Sequence, residues 1–474
     1  MKAIYFTFVL CAVLLSGGDA TGKEPAPAEP APAEPAKPAQ NVLLITIDTL
    51  RPDHLSLYGY ERNTSPELRR FFDGHEIWRH AYSAEASTAP SVASILTGRL
   101  PQNHGVRLFY QHLDNTVPTL ADVLSARGYA TGAVVSNVVL TAEALGIDNR
   151  FDHYDDFVDE REGMRKIWER RARRTTDAAL RWLDEERPAG QPHFLWAHYI
   201  DPHGPYTPPT DKPETYDHEG RQPIDVTRVR KYTRLADDPT DGLRYVDRYD
   251  EEIAYADREV GRLLRWYEEN GLLDETIIVF TADHGESMTD AQWFFAHGWD
   301  VVEPVMRVPL AVRRPGGGKA VHENPVSTID IAPSILHWLA IEPPSDLDGL
   351  VLDVRPAEAP VSLEATSHGG QSRAAIVGRE KWTLRRNRKG ETVRRATIQL
   401  PDKETLADEL TQAGPESWKD GPGAAALRAW TESDDYPESI RIKQNPGQQL
   451  HGPKVAPGVT ERQLEGLRAL GYAE

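Results

Sequence analysis

Three short stretches carry residue types suited to ester or phosphoryl chemistry. NVLLITID, residues 41–48, is a continuous apolar, β-branched run that stops at Asp48. TIIVFTADHGE, residues 276–286, does the same and stops at Asp283-His284. Two carboxylates and an imidazole begin a divalent-cation site, and an oxygen-rich set with one nitrogen admits Ca, Mn, Mg or Zn. The third stretch, STAPSVASILTGRLPQNHG (87–105), places Thr88 two residues before Pro90 at the head of a small, apolar run. That is how helices commonly begin, so Thr88 reads equally as a cap or as a reactive alcohol. A helix start also suits a tetrahedral anion, because its first N–H groups point outward. Its field is worth roughly 0.3–1 kcal/mol per charge. A catalytic metal can lower a bound water's pKa from about 15.7 to about 7, on the order of 12 kcal/mol. An alkoxide at Thr88 would therefore be made by the cation and oriented by the helix.

The elements that must position these residues alternate along the chain. SPELRRFFDG (65–74) predicts a helix with Ser65 as cap and Gly74 as terminator. TLADVLSARG (119–128) predicts another, with Leu120, Val123 and Leu124 on one face. YATGAVVS (129–136) and HFLWAHYI (193–200) read as strands. From about Tyr249 to Asn270 the pattern is a long amphipathic helix with Ile253, Val260, Leu263, Leu264 and Tyr267 inward, closed by Gly271. Helices alternating with apolar strands imply an α/β fold, a mainly parallel sheet sandwiched by helices. Ligands collect at the carboxyl ends of such strands, where Asp48 and Asp283-His284 stand.

A chain of 474 residues with 39% hydrophobic content and 11 Trp can bury a large core. Its 54 basic against 73 acidic residues leave a net charge of −19. That balance excludes a nucleic-acid or anionic-membrane binder, and an anionic substrate would need a local cation. MKAIYFTFVLCAVLLSGGDA, residues 1–20, has the form of an export signal with a cut after Ala20. No integral membrane segment is then expected in the exported chain. Cys11, the sole cysteine, lies inside the signal. An exported chain so processed has no thiol for disulfides, zinc ligation or nucleophilic attack. The Pro/Ala/Glu-rich stretch at 21–40 reads as an extended spacer.

The series Ile47-Asp48-Thr49-Leu50-Arg51, Pro90-Ser91, Thr97-Gly98-Arg99, His104-Gly105, Asp201-Pro202-His203-Gly204-Pro205-Tyr206, Asp283-His284-Gly285-Glu286, Arg307-Val308-Pro309-Leu310 and Asp330-Ile331-Ala332-Pro333 resembles the sulfatases of the alkaline phosphatase superfamily. The ending LEGLRALGYAE (464–474) is similar to the tail of many bacterial sulfatase-like proteins. The resemblance implies a catalytic domain over 41–350 and a C-terminal subdomain with a small antiparallel sheet over 351–474. VSLEATS, AAIVG, KWTLRR and TVRRATIQL (361–399) suit that sheet.

Resembling sulfatases make their formylglycine nucleophile from Cys or Ser two residues before the Pro of Cys-x-Pro-x-Arg. Here that position is Thr88, Val92 stands for the Arg, and Thr49 stands for the second Asp of the usual pair. The stretch that supplies a sulfate-binding Lys is replaced around Val135-Ser136-Asn137. No formylglycine is expected. Phosphodiesterases and phosphoethanolamine transferases of the superfamily use a metal-bound Thr at the same helix start. The resemblance thus implies an exported hydrolase of sulfate or phosphate esters, with Thr88 as nucleophile. Asp48, Asp283, His284 and the Thr88 oxygen would hold one divalent cation. His203 and His297 would contact the anion or protonate the leaving group, and Arg51, Arg107 and Asn137 would contact the substrate. That substrate would be a small, glycan or lipid anionic ester, with specificity carried by the loops at about 205–245 and 287–300. Two alternatives share these residues: a degenerate member that binds such an ester without turnover, and a phospho-group transferase.

Overall fold

The computed structural model describes residues 41–158, 160–161, 168–367, 370–387, 392–399, 421–433 and 460. The expected signal (1–20), spacer (21–40) and tail (464–474) lie outside the described residues. In chain order, the strands of the large sheet are β1 (Asn41–Ile47), β2 (Glu76–Tyr82), β3 (Ala130–Val134), β4 (His153–Asp155), β5 (His193–Tyr199), β6 (Thr276–Ala282), β7 (Arg307–Arg313), β8 (Ala320–His322) and β9 (Val326–Ser327). They lie side by side as β8-β2-β7-β6-β1-β5-β3-β4, with β9 also on β2.

β1 lies between β5 and β6, parallel to both, and is buried along its whole length. A strand covered on both faces has no solvated side to alternate toward, which is why its sequence is one apolar run. Ile47 is in register with Tyr199 and with Ala282, so Asp48 and Asp283 leave the sheet side by side. β7 alone breaks the parallel order, running antiparallel to both β6 and β2. An antiparallel neighbour lets the chain return directly, and residues 283–306 make that return past the ends of β1 and β6.

The helices are α1 (Pro66–Phe72), α2 (Thr88–Thr97), α3 (Leu120–Ser125), α4 (Ala172–Arg181), α5 (Gly242–Glu269) and α6 (Ile331–Trp338). α1 and α4 pack on α5, and α3 and α6 pack on α2. α3 opens with Thr119 and Asp122 in a reciprocal capping box. α1 is capped differently from expectation. Ser65 bonds to Ser56 Oγ, and the first N–H groups of α1, from Glu67 and Leu68, donate at 2.8 Å to the buried Asp257 carboxylate. α5 starts seven residues before the predicted Tyr249, where Asp241 accepts from Leu243 N. Its first turns bury Asp247 and Asp250 against Arg62, so they lack the apolar period that marks the rest. Among the described residues, no helix is long and apolar enough to cross a membrane.

The second sheet comprises β10 (Val361–Ser367), β11 (Gly370–Val377), β12 (Glu380–Asn387) and β13 (Thr392–Gln399), antiparallel in that order. Helix α7 (Pro422–Ser433) sets Ala424, Leu427 and Trp430 against Trp382 of this sheet. β10 also grips the segment leading into α2, since Glu364 N donates to Ala84 O and Ala86 N to Glu364 O. The small sheet therefore anchors the entry to Thr88.

Candidate active site

Thr88 is the first residue of α2, and Ser87 occupies the cap position. Neither side chain caps the helix. The Thr88 hydroxyl instead lies 3.3 Å from His284 Nε2 and 3.5 Å from Asp48 Oδ2. α2 is buried at all ten positions and is tied to the end of β6 by Ser91 Oγ, which donates to Asp283 O at 2.6 Å. Gly98 ends the helix in the left-handed region, where a β-carbon would meet Pro333 at 3.2 Å.

Three more donors converge on Thr88. Asp48 Oδ1 and Asp283 Oδ2 are buried and accept no hydrogen bond. They lie 3.8 and 3.6 Å from His284 Nε2. His284 Nδ1 is 2.9 Å from Gly285 O, which can only accept, so the neutral ring would present the lone pair of Nε2 to the cluster. Ligands held about 2.0–2.6 Å from one ion lie about 3–4 Å apart, so this set fits a divalent cation. His198 Nε2 belongs to the same cluster: Asp48, His198 and Asp283 each offer an atom within 4.8 Å of the others.

The second oxygen of each carboxylate is occupied. Asp48 Oδ2 accepts from Asn137 Nδ2 at 2.7 Å. Asp283 Oδ1 accepts from His284 N at 2.8 Å and Thr49 N at 3.3 Å. Thr49 adopts φ 56°, costly for a β-branched residue, and its carbonyl accepts from Tyr249 OH at 2.8 Å. This backbone conformation turns the Thr49 amide to Asp283.

Charge in the cluster is unbalanced. Burial opposes ionisation of Asp48, but His198, His203 and His284 outweigh it and hold this carboxyl well below its usual range. Burial, followed by the Asp48 charge, pushes Asp283 up to about 6. Burial alone would lower His284, yet Asp283 and Asp48 raise it. A cation among these atoms compensates both acids at once.

His203 and His297 lie side by side. Their ring centroids are 5.0 Å apart, and His297 is 4.5 Å from the His284 ring. Burial lowers His203 to about 4 and His297 well below its ordinary value. Glu286, which the sequence reading left without a role, has both carboxyl oxygens 3.3 Å from His297 Nδ1 and accepts from Tyr206 OH at 3.2 Å. Burial pushes Glu286 up to about 7.

The three residues expected to contact substrate have partners of their own in the structure. Arg51 is buried in ion pairs with Asp53 (2.7 Å) and Asp290 (2.8 Å), which satisfy its charge. Arg107 pairs with Glu364 of β10 at 3.3 Å, alongside Arg373. Asn137 reaches the site but orients Asp48. His198 was missed because it sits in a strand read only for its apolar pattern; a histidine inside a fully buried run was the available signal.

The "Sulfatase" family model matches residues 40–341. An arylsulfatase of Clostridium perfringens is 26% identical over 382 residues, 66% of this chain and 77% of that protein. A structure solved in complex with its substrate D-glucosamine-2-N,6-O-disulfate superposes with TM-score 0.66 at 18% identity, covering 86% of this chain and all of the other. The phosphonate monoester hydrolase of Silicibacter pomeroyi superposes with TM-score 0.61 at 21% identity, covering 83% and 95%. The cluster at the head of α2 therefore sits in a sulfatase fold, and the chain belongs to the sulfatase family.

Proposed function

We propose that this protein is an exported, metal-dependent hydrolase of phosphate, phosphonate or sulfate esters that works through a covalent Thr88 intermediate. The observation that carries the reading is the convergence of two orphaned carboxylate oxygens, the His284 Nε2 nitrogen and the Thr88 hydroxyl at one helix start. Asp48 Oδ1, Asp283 Oδ2, His284 Nε2 and Thr88 Oγ1 would hold one divalent cation: Ca, Mn, Mg or Zn. The cation supplies charge to lower the Thr88 alcohol's pKa and to neutralise the anion in transfer. The first N–H groups of α2 orient that anion.

Thr88 Oγ1, its proton passed to solvent when the cation binds, forms the bond to phosphorus or sulfur, and the bond to the ester oxygen breaks. The departing alcohol takes a proton from His297, whose Nδ1 side Glu286 holds and which Glu286 can resupply. Water then attacks the same centre, returns a proton to His297 and frees Thr88. His203, beside His297, contacts the transferred group. The substrate is a small, glycan or lipid ester, since relatives include enzymes named for glycan sulfates.

The test is a panel of nitrophenyl phosphate monoesters and diesters, phosphonate monoesters and sulfates, each with Ca²⁺, Mn²⁺, Mg²⁺ or Zn²⁺, on wild type and Thr88→Ala. Turnover that needs both the metal and Thr88 supports the reading. Equal turnover by both proteins ends the assignment of Thr88, and no turnover on any ester ends the hydrolase reading for these classes.

A further inference from the structure

Behind Asp48, three fully buried side chains form a relay in which every proton can be placed. Trp196 Nε1–H can only donate, and it gives its proton to Thr46 Oγ1 at 3.0 Å. Thr46 has one hydroxyl proton of its own. Among the described residues, the acceptor offered to it is His198 Nδ1, 2.8 Å away. A neutral imidazole that accepts at Nδ1 carries its proton on Nε2. That nitrogen faces Asp48 Oδ2 across 3.6 Å, longer than a formed hydrogen bond but within reach of one.

The opposite arrangement would make His198 a ligand. For Nε2 to offer a lone pair, Nδ1 must carry the proton and point at Thr46. Two donors would then face one hydroxyl, and the Thr46 proton would be buried without an acceptor, at a cost of about 1–3 kcal/mol. Asp48, by contrast, can use a second donor on Oδ2 beside Asn137.

We infer that His198 is a positioning residue and not a cation ligand. Through Nε2–H it acts with Asn137 to pin Asp48 Oδ2, leaving Oδ1 aimed at Asp283 Oδ2 and His284 Nε2. The ion then meets oxygens and a single imidazole. This inference rests on the cation site proposed above, and it adds a relay reaching from the interior of β5 through β1 to that site. Loss of such a supporting contact ordinarily weakens metal binding ten- to a hundredfold.

The experiment labels the full chain with ring-¹⁵N histidine and records proton–nitrogen correlations without metal and with Zn²⁺, assigning His198 by its absence in His198→Leu. The expected spectrum has His198 protonated on Nε2 in both states, with the metal-induced shift on His284 Nε2. A His198 proton on Nδ1, or a metal shift on its Nε2, overturns the inference. Calorimetric titration with Mn²⁺ is the second measurement. His198→Leu is expected to bind at least tenfold more weakly than wild type, and unchanged affinity also overturns the inference. Failure of wild type itself to bind Zn²⁺ or Mn²⁺ sinks the cation site instead, while the tautomer in the metal-free spectrum still decides the relay.

Discussion

Thr88→Ala separates the two readings of the helix start, because they predict opposite patterns of stability and activity. Were Thr88 a helix cap, its loss would cost about 1 kcal/mol of stability and leave turnover alone. In the structure its hydroxyl caps nothing and faces Asp48 and His284 at 3.5 and 3.3 Å, long contacts that carry little energy. The stability term is then mainly one buried methyl group, about 0.8 kcal/mol, partly offset by removing a hydroxyl crowded among polar atoms. The activity term is far larger. A residue that forms the covalent bond has no substitute, and nucleophile knockouts in other hydrolases cost 10³-fold or more, at least about 4 kcal/mol of transition-state stabilisation. Urea unfolding and nitrophenyl-ester turnover with Mn²⁺ should therefore diverge: under about 1 kcal/mol in the first, at least about 10³ in kcat in the second. Thr88→Ser, which keeps the oxygen, should recover most of the rate. Turnover in Thr88→Ala within tenfold of wild type would refute the argument.

Gly285→Ala places a β-carbon 2.3 Å from Pro304 O, a backbone atom that cannot swing aside. Unfolding should become easier by about 1–3 kcal/mol and Mn²⁺ binding should weaken as Asp283 and His284 shift; calorimetry finding neither would be a refutation. Asp257→Ala removes the acceptor of two α1 amides and should cost about 1–3 kcal/mol in urea while sparing ester turnover. Burial lowers His193 and His104 to about 3. The unfolded chain takes up these protons near pH 6.5 and the folded chain does not, so stability is full above pH 6.5 and falls on acidification by about 1.4 kcal/mol per unit for each. Between pH 6.5 and 5, wild type should lose about 2 kcal/mol more than His193→Gln, and parallel urea midpoints would contradict this.

The strands were legible wherever burial was symmetric. β1, β5 and β6 are buried throughout and mostly apolar, and the acidic residue that follows β1 or β6 is conspicuous for that reason. The first turns of α5 were not legible, because Asp247 and Asp250 are buried by pairing with Arg62 and leave no apolar rhythm. Arg51 and Arg107 raise the same difficulty: a guanidinium is equally suited to a substrate anion or to a buried carboxylate, and Asp290 and Glu364 are remote in sequence.

By itself the sequence determined the inventory: an α/β chain, two strand-ending acidic turns, a threonine where a formylglycine precursor would stand, and no cysteine beyond Cys11. Only the tertiary structure decided that Thr88 is turned from its helix toward Asp48 and His284, that Glu286 backs His297, and that Thr46 and His198 stand behind Asp48. The physical reason is that composition and spacing act along one strand or helix. The direction of a hydroxyl, the tautomer of a buried imidazole and the orphaning of a carboxylate oxygen are set by partners that β1, β5 and β6 bring together across the sheet.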